Sequence, residues 1–167
     1  QFAESITSGC FPLGGIGISD EIAQVMNDSG SPWMHAYTYS SHPVGCAVAL
    51  AMLDIIEKED FVAQAQTKGK RMLVKLKEAL GDHPHVGEVR GLGMMCGVEL
   101  VKDKASKQMF DAKDGIGAKV HVETVKRGMF SRVRGDVYCV APPIVTGENT
   151  IDDIADILGA SVRAVLG

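Results

Sequence analysis

V-R-G-L-G-M-M-C-G-V-E-L, from Val89 to Leu100, is the stretch on which the fold turns. Its second half alternates, Met94, Cys96, Val98 and Leu100 against Met95, Gly97 and Glu99, and this period of two is that of a strand with one buried face. Residues 86–90 and 94–101 are therefore expected to be strands. Downstream, residues 102–117 are polar and lysine-rich and read as a solvated loop. A helix is expected over residues 116–127, stopped by Gly128, followed by strands at 129–133 and 136–141. The helix expected over 148–166 carries Ile151, Ile154, Leu158, Val162 and Val165 on one side, with Thr146 or Thr150 as its cap.

Upstream, Pro43 suits a first helical turn, and the residues after it are apolar nearly all round as far as Ile56. A second helix is expected over residues 60–80, its stripe formed by Phe61, Ala65, Met72, Leu76 and Leu80, with Gly81 just past its end. Helix, strand, strand, helix, strand, strand, helix describes an α+β domain with helices against an antiparallel or mixed sheet. Before it, S-G-C-F-P-L-G-G-I-G at residues 8–17 is too broken for a helix and reads as a loop leading into a short strand. Ser19 is placed to cap a short helix that begins with Asp20 and Glu21 and ends in residues 27–31. Residues 32–41 form a loop rich in aromatic and hydroxyl side chains.

The chain has 167 residues, a net charge of −4 and a pI near 5.7, the balance of a protein that does not bind nucleic acid through phosphates. Its longest apolar run, residues 44–53, is too short to span a bilayer. Cys10, Cys46, Cys96 and Cys139 form no C-x-x-C pair and read as reduced core thiols of a cytoplasmic protein. The sequence opens on Gln1 in a structured stretch, as a piece of a longer chain would. His42-Pro43 and His83-Pro84-His85 have no acid or cysteine at ligand spacing, so no metal site is expected. G-G-I-G at residues 14–17 lacks the third glycine and the flanking strand of a dinucleotide-binding turn.

Four separated segments resemble the class III, omega-type aminotransferases, a pyridoxal-phosphate (PLP) family of fold type I. They are F-A-E-S-I-T-S-G-C-F-P-L-G-G (2–15), H-A-Y-T-Y-S-S-H-P-V-G (35–45), the Val89–Leu100 segment and G-D-V-Y-C-V-A-P-P (135–143). The resemblance implies an α/β fold, with residues 1–50 ending the large cofactor domain, 51–81 linking helices and 82–167 a C-terminal α+β small domain. It implies transfer of an amino group from an amine or ω-amino acid to pyruvate or another 2-oxo acid. Aminomutases and a decarboxylase share the same motifs, and a non-catalytic partner of the PLP fold is a further alternative.

In the family motif the fourth residue is the lysine whose amine forms the Schiff base with PLP. Here it is Glu4, which has no amine nucleophile, so this chain alone is expected to be inactive. The other lysines fall on polar helix faces or in the 102–117 loop. Thr38 matches the threonine that binds the cofactor phosphate of the neighbouring subunit, with Tyr37 and Ser40 beside it. Where this chain has Ser41 the family usually has glycine. Arg132 lies where omega-type members keep a mobile arginine for a substrate carboxylate, with Arg134 its near neighbour and an ordinary surface ion pair the competing role for either. Without most of the large domain, residues 2–13 and 44–53 should expose apolar surface, so a homodimer or association with a complementary chain is expected.

Overall fold

A computed structural model describes residues 1–32, 34 and 37–167. The chain packs as two units, Gln1–Asp60 and Phe61–Gly167.

Among the described residues, the first unit holds a 3-10 turn, Glu4–Thr7, and two helices, α1 (Asp20–Asp28) and α2 (Pro43–Lys58). Phe2 and Gly15 form an isolated antiparallel bridge with reciprocal 2.8 Å hydrogen bonds, so the broken glycine-rich stretch folds back on itself. The buried Thr7 locks this loop, its hydroxyl donating to the Phe11 carbonyl at 2.6 Å. Ser19 caps α1 as expected, accepting from the Ile22 N–H. Pro43 opens α2, where the His42 ring accepts from the Val44 N–H. Although α2 is mostly apolar, only Gly45 and Ala49 are buried, and Val44, Leu50, Leu53 and Ile55 stay exposed.

The second unit contains α3 (Phe61–Leu80), β1 (Val86–Leu92), β2 (Met95–Leu100), α4 (Ile116–Lys126), β3 (Arg132–Arg134), β4 (Val137–Val140) and α5 (Glu148–Leu166). Its sheet is antiparallel throughout, in the order β1-β2-β4-β3. The alternation read from the sequence is realised: Cys96, Val98 and Leu100 are buried, with Val89 on β1 and Tyr138 and Val140 on β4. Met72, Leu76 and Leu80 of α3, Val120 of α4 and Ile151, Leu158 and Val162 of α5 complete the core. A side chain of that size adds roughly 1.5–3 kcal/mol when fully buried. Arg71 of α3 also clasps Asp152 of α5 with two hydrogen bonds, at 2.9 and 2.6 Å.

The structure departs from expectation in four places. The short strand expected after residues 8–17 does not form, Gly15 making only an isolated bridge with Phe2. The strand expected at 129–133 begins at Arg132, because α4 ends at Lys126 and the Gly128 and Met129 N–H groups turn back to the Val125 and Thr124 carbonyls. Neither Thr146 nor Thr150 caps α5; Gly147 holds that position with no side-chain cap. Of the cysteines, Cys96 is buried, whereas Cys10 and Cys46 are exposed because the loop and helix carrying them leave those side chains uncovered. All four thiols are free.

Candidate functional site

In the first unit, Glu4 heads the 3-10 turn with φ +34°, a left-handed conformation that costs a residue with a Cβ roughly 1–3 kcal/mol. The Gly9 N–H donates to its carbonyl at 3.0 Å, and the Thr7 hydroxyl, whose proton goes to the Phe11 carbonyl, lies 3.3 Å from the same oxygen. The backbone at position 4 is therefore tightly determined, while the exposed carboxylate has no hydrogen bond or ion pair among the described residues.

Residues 37–41 form a tight turn ahead of α2. The Tyr37 N–H donates to the Ser40 hydroxyl at 2.9 Å, and the Ser40 N–H returns to the Tyr37 carbonyl at 2.9 Å. Thr38 is exposed within this turn. His35 and Ala36, which open the corresponding motif, lie outside the described residues. Ser41 adopts φ +57°, in the region that favours glycine, and this gives the glycine expected from the family motif a physical reason. Tyr37 and Ser40 line an open depression of about 780 Å³ with Ala3, Gly14, Gly15 and Ile16. The structure thus gathers Tyr37, Ser40 and the residue preceding Glu4 around one hollow.

Arg132 lies in the second unit, exposed on β3. The strand register places it opposite Cys139, and Cys139 opposite Gly97, on the sheet face away from the helices. Arg134 shares that face, opposite Val137. Their hairpin turn is pinned: the Asp136 carboxylate accepts from the Gly117 N–H at 2.9 Å, and its carbonyl accepts from the Leu100 N–H at 2.8 Å. On the same face Arg90 sits 3.1 Å from Glu88 and 3.8 Å from Glu99, a cluster the motif reading did not single out, although the alternation of β1 and β2 implies it. No group of histidine, cysteine and acid side chains able to hold a metal occurs among the described residues.

The first unit thus offers a strained loop with a bridge and a turn before an apolar helix, and the second a helix-backed antiparallel sheet. A family model for class III aminotransferases matches residues 1–162. An uncharacterised aminotransferase of Sinorhizobium fredii is 38% identical over 98% of this chain and 36% of its own length. The putrescine–pyruvate aminotransferase of Pseudomonas aeruginosa is 38% identical over 91% of this chain and 33% of its own. A thermostable (S)-enantioselective omega-transaminase from Thermomicrobium roseum superimposes with a TM-score of 0.94 at 43% identity, over 99% of this chain and 37% of that one. The chain belongs to the class III aminotransferases, enzymes of PLP fold type I. It spans about a third of the length of the curated relatives it matches.

The family depends on PLP, and the chain's own residues answer that requirement unevenly. The turn at 37–41 offers hydroxyls of the kind a phosphate accepts from. Position 4 offers a carboxylate, which has no amine to condense with an aldehyde. Position 4 as it stands therefore does not fit a covalently held PLP. No described helix is long and apolar enough to cross a membrane.

Proposed function

We propose that this chain is the C-terminal part of a PLP-dependent aminotransferase that moves an amino group from an amine or ω-amino acid to pyruvate or another 2-oxo acid, and that with Glu4 it does not do so alone. Residues 1–50 then complete the cofactor domain, 51–81 link and 82–167 form the small domain, in a cytoplasmic homodimer or a pair with a complementary chain. Thr38, assisted by Tyr37 and Ser40, holds the cofactor phosphate of the neighbouring subunit, and Arg132 takes a substrate carboxylate. The observation that carries this reading is the family match over residues 1–162.

Glu4 itself favours a second reading, a non-catalytic partner that keeps the fold and contributes Thr38 to another subunit. Borohydride reduction in the presence of PLP, followed by intact mass, separates the possibilities. The expected result is an adduct on the Glu4→Lys variant and none on the chain as it stands. An adduct on the unaltered chain means another lysine has taken over, and the inactivity reading fails. If neither chain is modified, position 4 is insufficient without the rest of the cofactor domain.

A further inference from the structure

Most arginines of this chain are engaged. Arg71 holds Asp152 and Glu148, Arg90 lies beside Glu88 and Glu99, Arg127 pairs with Glu123, and Arg163 donates to the Ala79 carbonyl at 3.2 Å. The Arg132 and Arg134 side chains are exposed and make no hydrogen bond or ion pair among the described residues, in a chain of net charge −4. These two unpaired guanidiniums stand on one face of one strand. Val133 between them points to the opposite face, against the core.

The setting of the pair is asymmetric. Arg134 adjoins the Gly135–Asp136 turn that Gly117 pins, so its backbone is held. Arg132 adjoins Ser131 and Phe130, and Phe130 is 85% exposed. Beside Arg132 the sheet is low: its cross-strand neighbours are Cys139 and then Gly97, which has no side chain. The acids of this face, Glu88 and Glu99, are drawn to Arg90.

We infer that Arg134 is a specificity-determining residue that grips a second carboxylate when Arg132 holds the first, so that this face selects a dicarboxylic 2-oxo acid over a monocarboxylic one. Residues i and i+2 on a strand are about 6.6 Å apart. The two carboxyl carbons of an extended five-carbon diacid are roughly 5 Å apart, within the play of two long side chains. Each guanidinium presents a planar fork of donors to one carboxylate. Both sites are exposed, so the second grip is worth about a two- to fivefold preference at low salt.

This inference rests on the reading of Arg132 given above, and the test separates the two. The full 167-residue chain is titrated with 2-oxoglutarate and with 2-oxopentanoate, which has the same carbon count and one carboxylate fewer, and the arginine Nε–H NMR signals are followed. The expected result is that both acids move the Arg132 signal, that only 2-oxoglutarate moves Arg134, and that it binds two- to fivefold more tightly. Arg134→Gln should abolish the preference and keep the weaker binding, and Arg132→Gln should weaken both. Equal affinities, or a preference that survives Arg134→Gln, overturn the inference and leave the Arg132 reading intact. If neither acid moves Arg132, that reading fails and this one with it.

Discussion

Replacing Gly117 by alanine puts two forces in direct opposition. By intrinsic propensity, alanine in α4 should help by up to about 1 kcal/mol. The structure predicts the reverse. A Cβ at position 117 would lie 2.2 Å from the Gly135 carbonyl oxygen, 2.8 Å from a Val133 methyl and 3.2 Å from the Asp136 Cα. Real Cβ contacts keep to 3.0 Å or more, so the turn must retreat by about 0.8 Å. Most of the obstruction is backbone, which cannot rotate aside. Overpacking of this kind costs about 1–3 kcal/mol, and the retreat also stretches the 2.9 Å bond from the Gly117 N–H to Asp136. With the stretched hydrogen bond adding roughly 0.5–1.5 kcal/mol and the propensity gain subtracted, a net loss of about 1–2 kcal/mol remains, a factor of roughly 5–30 in the folded-to-unfolded ratio. Native-state hydrogen exchange at the β4 amides reads this within the second unit alone. Ala118→Gly, at the exposed neighbouring position, should lose about 1 kcal/mol from propensity alone. If Gly117→Ala is as stable as the parent or more so, the close approach of α4 to the β3–β4 turn is not a real constraint.

Tyr138→Phe should destabilise by about 1–2 kcal/mol in urea unfolding, because the buried Thr124 hydroxyl already donates to the His121 carbonyl and needs Tyr138 as its donor at 2.6 Å; an unchanged midpoint would contradict this. Burial, and then the positive charge of His85, Arg163 and Lys104, hold the His83 pKa below its ordinary value. Folding therefore favours neutral His83, so its share of stability is complete above about pH 6.5 and is lost as pH falls below it. His83→Asn, which keeps an acceptor for the His85 N–H, should lose less stability than the parent between pH 7.5 and 5; parallel losses would refute the assignment. Iodoacetamide should modify the exposed Cys10 and Cys46 first and Cys96 last, since burial also pushes the Cys96 thiol pKa up, and early labelling of Cys96, seen by peptide mass, would argue against the packing of β2.

The second unit was the more legible in sequence because its residues report burial locally. The period-two run from Met94 to Leu100 and the stripe on α5 name the residues that end up inside. Arg132 and Arg134 were visible as candidates, but the lack of an ion pair to either among the described residues was not, since it depends on Arg90 drawing in Glu88 and Glu99. The first unit was legible mainly through motifs. Its left-handed residues Glu4 and Ser41 carry no compositional mark, because glycine or asparagine would announce such a backbone and glutamate and serine do not. The cysteines misled for a related reason: an apolar neighbourhood in sequence suggests burial, yet in α2 most of that apolar surface is exposed.

The clasp between α3 and α5 joins residues 81 positions apart in the chain. At a synthesis rate of about 5–20 residues per second, Arg71 leaves the ribosome some 4–16 seconds before Asp152. Through that interval the Met72–Leu76–Leu80 stripe has no α5 to cover it, and a helix in this condition is what a holding chaperone grasps. The nascent chain thus has a window of vulnerability set by sequence separation and not by final stability, and slowing translation between α4 and α5 would prolong it.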